Sequence, residues 1–162
     1  MIVLGLDPGL AITGIAIVEE NRGKQNLTHS EAIITSQKLS TPERLSHLYY
    51  LLVLLIKSHR PDVAALETLI FNTNVTTAFA VGQARGVALL ALSQASIPVF
   101  EYSNVQVKMS ITGYGRADKN QIQQMVKTVL KIPQVLKPDD VADAAAIALT
   151  HCFSYKMKSS IK

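Results

Sequence analysis

The chain has 162 residues, of which 48% are hydrophobic, and 16 Lys and Arg residues against 12 Asp and Glu residues give a net charge of +4. This apolar fraction excludes a disordered chain, and the length fits one domain with a substantial core. The single Cys152 excludes an intramolecular disulfide and a Cys-rich zinc site. No apolar run reaches the length of a membrane span and no signal peptide is recognisable, so we expect a soluble, intracellular protein. Its mild basic charge permits a polyanionic partner.

The first predicted element is a strand that ends on a carboxylate. The apolar residues 2–6 lead directly to Asp7, and Pro8-Gly9 then breaks the strand. A turn and a second strand follow, and residues 27–35 have enough β character for a third. The chain is therefore predicted to open as an antiparallel meander. Asp7 would lie at the open end of a buried strand, where an acid normally needs a partner or a cation.

Helices and short strands then alternate. Thr41, Pro42 and Glu43 predict a helix start, and apolar residues at helical spacing continue it to about residue 59. A short apolar strand over residues 63–67 again ends on an acid, Glu67. The remaining predicted elements are a helix from Thr76 or Thr77 to residue 94, a strand over 97–102, helices that begin after the capping residues Ser103 and Asp118, and an Ala-rich helix from about Asp140 to about His151. This order predicts an α/β fold with a mixed five-stranded sheet flanked by helices, in which the strands at Leu66 and Phe100 run parallel to the first.

Four carboxylates are the candidate catalytic groups. If their strands are parallel neighbours, Asp7 and Glu67 emerge at one sheet edge, whereas Asp140 and Asp143 share a helix face. Converging acids repel one another and raise their pKa values, a conflict that divalent cations relieve. Oxygen ligands suit Mg²⁺ or Mn²⁺, and two such ions about 3.5–4 Å apart support phosphodiester hydrolysis. Taken singly, each acid could equally be a turn or capping residue, and Asp139 is the better candidate for a cap.

A series of motifs in fixed order gives the chain a recognisable resemblance. These motifs are Gly5-Leu6-Asp7-Pro8-Gly9, Leu66-Glu67, Gly82-Gln83-Ala84-Arg85-Gly86, Val99-Phe100-Glu101-Tyr102, Gln106-Val107-Lys108, Asp140-Val141-Ala142-Asp143-Ala144 and Thr150-His151-Cys152. Together they closely resemble the RuvC crossover-junction endodeoxyribonucleases, from residue 2 to about residue 153.

The resemblance implies a ribonuclease-H-like nuclease domain over residues 1–153, followed by a basic, flexible tail over 154–162. It further implies a homodimer that uses Mg²⁺, two ions in each active site with Mn²⁺ as a possible substitute. The implied activity is paired, symmetric nicking of Holliday junctions to 5′-phosphate and 3′-hydroxyl ends, in recombination and repair. The implied setting is the bacterial cytoplasm, with the RuvA and RuvB branch-migration proteins as partners.

Carried over position by position, the resemblance assigns roles to particular residues. The catalytic and metal-binding acids are Asp7, Glu67, Asp140 and Asp143, and the DNA-contacting lysines are Lys108 and Lys119, of which Lys119 is also counted as catalytic. The family usually has an aromatic residue on a junction-opening loop where this chain has Ile70, followed by Phe71; either could be the wedge. The helix with Gly82 and Gly86 is the implied dimer surface, although close packing on its own sheet is the alternative. Arg85 is assigned to DNA, with a salt bridge as the alternative, and His151 is expected to be a capping or surface histidine.

Three other functions would account for part of the sequence. Asp7-Pro8-Gly9 also resembles the phosphate loop of actin-like ATPases and sugar kinases, but those proteins need two lobes. A DNA-binding module without catalysis is disfavoured because all four acids are present. A ribonuclease-H-like RNA-processing nuclease remains open on chemistry alone.

Overall fold

The structure, a computed structural model, describes residues 1–68 and 75–159, with the backbone alone at residues 75–77 and 155–159. Five strands and five helices form the described part of the chain. In chain order they are β1 (Ile2–Asp7), β2 (Ile12–Asn21), β3 (Lys24–Ile34), α1 (Thr41–His59), β4 (Val63–Glu67), α2 (Val75–Gln94), β5 (Val99–Tyr102), α3 (Asn104–Thr112), α4 (Lys119–Leu130) and α5 (Asp139–Ser159).

The strands form one mixed sheet in the order β3-β2-β1-β4-β5. β1, β2 and β3 pair as an antiparallel meander, while β4 is parallel to β1 and β5 is parallel to β4. The predicted strand directions and the five-stranded sheet are thus confirmed. The chain reaches β4 from β3 through α1, and β5 through α2, as parallel neighbours require a crossover.

Each face of the sheet is covered by its own group of helices. Alternate residues of β1 point to opposite faces: Leu4 and Leu6 pack with α1 and α2, whereas Val3 packs with α3, α4 and α5. The helix α5 lies directly on the sheet through small side chains, among them Ala144 and Ala148, both fully buried. This face is the one on which the candidate acids lie.

Local signals set most helix ends, and a few predicted bounds change. Ser103 and Asp118 cap α3 and α4 in capping boxes with Gln106 and Gln121, as predicted. The cap of α1 is Ser40 rather than Thr41, because the Glu43 carboxylate accepts hydrogen bonds from the backbone N–H and the hydroxyl of Ser40 at 2.8 and 2.6 Å.

Other bounds also differ from the predicted ones, among them the start of β5, which is Val99 rather than residue 97. α2 begins at Val75, ahead of the predicted Thr76 or Thr77, and β3 begins at Lys24, where a tight turn pairs it with the end of β2. α5 continues to Ser159, past its predicted end near residue 151. Within residues 1–68 and 75–159, none of the helices combines the length and apolar character that crossing a membrane requires.

Candidate active site

Two acids meet at the carboxyl ends of β1 and β4. Asp7 is the last residue of β1 and Glu67 the last of β4, and the register pairs Leu6 with Leu66 immediately before them. Because side chains alternate along a strand, both acids point to the sheet face that α5 covers. The predicted convergence of these two strand ends is therefore present.

Two glycines allow α5 to approach this edge closely. A Cβ atom on Gly14 would lie 1.9 Å from the Asp140 carbonyl oxygen, and one on Gly5 would lie 2.0 Å from that of Ala144. Only glycine fits both places, so backbone contact with β1 and β2 fixes the first turns of α5. That contact carries Asp140 and Asp143 to the strand ends. No sequence pattern described above predicts a packing role for either glycine, although a glycine such as Gly5 inside an apolar strand often marks the close approach of another backbone.

The pKa of Asp7 couples this acid to the other three. It is raised from 3.8 to about 7, chiefly by burial and then by the negative charges of Asp143, Asp140 and Glu67, against a smaller opposing effect of Lys119. Burial, again the largest cause, also raises the pKa of Asp143. A carboxyl group held this far from its ordinary pKa gains from any cation that binds beside it.

Lys119 supplies a positive charge at the border of the acids. Its Nζ lies 3.1 Å from Asp143 and 3.3 Å from Asp139, and Asp139 also pairs with Lys137 at 2.7 Å. Burial is the largest single effect on the pKa of Lys119 and lowers it, but the hydrogen bonds and charges of Asp143 and Asp139 together raise that pKa overall, so Lys119 stays protonated. Asp139, which was predicted to be a helix cap, thus helps to orient Lys119. No local sequence pattern indicates this role.

A cavity of about 230 Å³ extends from the acids past both predicted lysines. Lys108 and Lys119 line it together with Glu67 and Asp143. The walls of this cavity, which we call the lysine cavity, come from the end of β4 and from α3, α4 and α5. A phosphate at the acids would therefore have two cations within the same cavity.

The donor set of the acids fits a hard divalent cation. All four side chains offer carboxylate oxygens, and burial disfavours the charged state of Asp7 and Asp143 without a cation. In the described part of the chain, no three Asp, Glu, His or Cys side chains are closed around a common point as metal ligands. As placed here, the acids do not form a finished coordination shell.

The remaining predicted site residues are Arg85 and the two wedge candidates. Arg85 forms a salt bridge, which is one of the two roles considered for it. Its side chain is buried, pairs with Glu101 at 2.7 Å and donates to the Glu67 carbonyl oxygen at 2.7 Å. Ile70 and Phe71, the wedge candidates, lie outside the described residues.

His151 is not at the surface as expected. Its ring is 2% exposed and its Nδ1 lies 2.8 Å from the Tyr102 hydroxyl, because α5 places it against β5. The surface expectation for this histidine is therefore wrong.

The sheet order and the acids on its α5 face define a nuclease of the ribonuclease-H-like class. A family model described as "Crossover junction endodeoxyribonuclease RuvC" matches residues 3–151. The protein of that name from Alkaliphilus metalliredigens is 48% identical over 162 residues, covering 100% of this chain and 99% of its own. The chain belongs to the RuvC family.

Solved structures agree with this assignment. The Thermus thermophilus RuvC structure in complex with a Holliday junction substrate has a TM-score of 0.92 and 34% identity, covering 98% of this chain and 97% of its own. The yeast mitochondrial Holliday junction resolvase Ydc2 has a TM-score of 0.68 at 15% identity, covering 97% and 82%, and shares the fold.

Proposed function

We propose that the protein is a magnesium-dependent endodeoxyribonuclease that resolves Holliday junctions by paired, symmetric cuts, leaving 5′-phosphate and 3′-hydroxyl ends, in recombination and repair. The observation that carries this proposal is the electrostatic coupling of Asp7 to Glu67, Asp140 and Asp143 on one sheet face. The junction named for the Thermus relative supports the choice of substrate. The same acids would suit an RNA-processing nuclease, but the family match favours junction DNA.

The four acids would hold the metal, and Mg²⁺ or Mn²⁺ would supply a water-derived nucleophile and stabilise the leaving oxygen. Asp7 contributes a carboxylate whose pKa burial raises, and Asp143 links the acids to Lys119. Lys119 and Lys108, on the wall of the lysine cavity, would bind the phosphate next to the cut and stabilise the charge that develops there. Because Lys119 is paired with two carboxylates, it holds a proton rather than acting as a base.

The test is cleavage of a labelled four-way DNA junction with Mg²⁺, beside a linear duplex and an RNA·DNA hybrid. Paired, symmetric and ligatable nicks confined to the junction are expected. Ligation by a DNA ligase reads out the predicted 5′-phosphate and 3′-hydroxyl ends directly. Preferential cleavage of the hybrid would contradict the proposal and favour the RNA-processing alternative.

We further propose a homodimer formed through the outer face of α2. Phe79 and Leu90 are 68% and 51% exposed on this face, and added Cβ atoms at Gly82 and Gly86 would meet nothing within 4 Å. These four residues, the α2 outer face, recur at helical spacing on a helix that is apolar on both sides. The glycines therefore do not serve packing on their own sheet, and a second copy would cover an apolar surface that is costly to leave in water.

Leu90→Glu is expected to convert the dimer to a monomer. Leu90 is exposed on the α2 outer face, so a glutamate there would bury an unpaired charge in the two-fold interface, at a cost of several kcal/mol. Sedimentation equilibrium measures the mass, and Leu54→Glu on α1, 45% exposed in the wild type, is the matched control that should leave it unchanged. A wild-type monomer with full junction-cleaving activity would contradict the dimer.

The remaining assignments complete the proposal. Ile70 or Phe71 would act as the apolar wedge at the junction centre, and RuvA and RuvB would be partners, as the family resemblance implies. The curated relatives are bacterial, and a DNA substrate implies a cytoplasmic location. We propose that residues 1–153 form one nuclease domain and residues 154–162 a basic tail.

A further inference from the structure

A second cavity reaches the acids at Asp140, which does not line the lysine cavity. It has a volume of about 480 Å³, within the range of about 300–1,000 Å³ for ligand pockets. The loop from Gly9 to Ile12 between β1 and β2 forms one wall, Ala80 and Val81 of α2 another, and Asp140 its border with the acids. Asp140 lines this cavity and Asp143 lines the lysine cavity, so each cavity reaches the acids at a different carboxylate of α5.

Arg44 is the cationic wall of this second cavity. Its Nε donates to the Thr35 hydroxyl at 2.8 Å and its Nη2 to the Leu10 carbonyl oxygen at 3.2 Å. Thr35, which is buried, donates in turn to the same carbonyl at 2.5 Å. The guanidinium is thus held in one orientation by α1, by the end of β3 and by the loop after Asp7.

Most of the hydrogen-bonding capacity of Arg44 remains available. A guanidinium has five N–H donors, and over residues 1–68 and 75–159 only the two contacts above engage them. Among the described residues no carboxylate pairs with Arg44 in an ion pair. A fixed, uncompensated guanidinium on a cavity wall is suited to an anion, and phosphate is the anion it binds with the best geometry.

We propose that the cavity, here called the Arg44 pocket, binds a backbone phosphate of the DNA strand that lies across the acids, next to the scissile phosphate. This inference rests on the proposed function. A strand crossing the acids has the lysine cavity on one side and the Arg44 pocket on the other, so its phosphates meet a cation before and after the cut. Leu10, Ala11 and Ile12 give an apolar wall for the attached sugar, and Gln37 adds a polar group at the same wall.

The first test measures junction binding without divalent cations, in a chelator, across a range of salt concentrations. Arg44→Gln should bind about tenfold more weakly, and the slope of log K against log salt should fall by about 0.9, as for the loss of one phosphate contact. Arg44→Lys keeps the charge and should recover the wild-type slope. Thr35→Val breaks the same hydrogen-bond network but keeps the guanidinium, so its slope should equal that of the wild type.

The second test locates the phosphate. Junctions with one neutral methylphosphonate at successive positions beside the cut are bound by wild-type protein and by Arg44→Gln. At one position within two nucleotides of the cut, the methylphosphonate should weaken junction binding by the wild type but should not weaken binding by Arg44→Gln any further. The proposal is overturned if Arg44→Gln keeps the wild-type salt slope, or if the slope of Thr35→Val falls as much as that of Arg44→Gln. It is also overturned if every methylphosphonate that weakens binding by the wild type weakens binding by Arg44→Gln as well.

These binding readouts separate the pocket from the reaction. Wild-type protein that binds junctions but does not cut them with Mg²⁺ would refute the proposed function, while the slopes and the methylphosphonate scan would still decide whether Arg44 contacts a phosphate. Thermal unfolding of each variant confirms that it folds. An Arg44→Gln protein that unfolds is replaced in both tests by Arg44→Met, which also lacks the charge, with the same expected and overturning results.

Discussion

Asp7→Asn is expected to abolish junction cleavage while making the metal-free protein more stable. The activity should fall by at least about 10³-fold, because losing a metal-binding charge removes several kcal/mol of stabilisation of the reaction. Burial and three neighbouring acids raise the pKa of Asp7 from 3.8 to about 7. At full size, that rise in pKa lowers the free energy of unfolding of the wild type by roughly 4 kcal/mol above pH 7. The neutral amide of Asp7→Asn does not have this cost.

The sign of the pH dependence follows from this raised pKa. Between about pH 4 and pH 7 the folded protein holds a proton on Asp7 that the unfolded chain has lost, so wild-type stability falls as the pH rises. The difference between wild type and Asp7→Asn should be about 2–4 kcal/mol at pH 8 and vanish near pH 4. Urea unfolding in a chelator measures it at both pH values.

Asp139→Asn is the matched control for this prediction. Lys137, the Gln123 side chain and Lys119 hold the pKa of Asp139 at about 2, so its charge is favourable in the fold and its removal should bring no gain in stability. Added Mg²⁺ should raise the stability of the wild type more than that of Asp7→Asn. An Asp7→Asn protein that cuts junctions, or one no more stable than wild type at pH 8 without metal, would contradict the shared acidic site.

Gly14→Ala is expected to destabilise the fold and to remove most cleavage activity. The added methyl group would lie 1.9 Å from the Asp140 carbonyl oxygen and 2.8 Å from the Val141 backbone nitrogen, so α5 must move. Overpacking typically costs about 1–3 kcal/mol, and contact with backbone places this change at the upper end. Since Asp140 and Asp143 move with α5, cleavage should fall even under conditions where the variant is folded.

Gly115→Ala provides the comparison for this variant. An added Cβ there would meet only the Val105 and Met109 side chains at 3.4 and 3.5 Å, so stability and cleavage should stay near those of the wild type. Urea unfolding and junction cleavage are measured on both proteins. Wild-type activity in Gly14→Ala would show that the contact of α5 with β2 does not position the acids.

Local patterns were sufficient to predict much of this molecule. Asp7 and Glu67 follow short apolar runs, and that alone placed them at strand ends on one sheet edge. Capping boxes at Ser103 and Asp118 predicted two helix starts correctly, because the hydrogen bonds involved span only three residues.

Features that depend on distant neighbours were not predictable in this way. His151 is buried because Phe100 and Tyr102, about fifty residues away, cover its ring. Arg44 faces the second cavity only because Thr35 and Leu10 hold it there, across a separation of up to 34 residues. Gly14 has its role because α5 returns to β2 from the far end of the chain. Each case requires knowledge of which elements touch, which no short window of sequence contains.

The contact of α5 with bare glycine backbone also limits how this centre could evolve or be transplanted. The four acids could be introduced into many other folds, but the spacing between α5 and the sheet depends on residues 5 and 14 having no side chain. A designer who copies the carboxylates without those two positions would obtain the right chemical groups at the wrong separation. Few substitutions should therefore be tolerated at these two positions, even though neither glycine is among the proposed catalytic or DNA-binding residues.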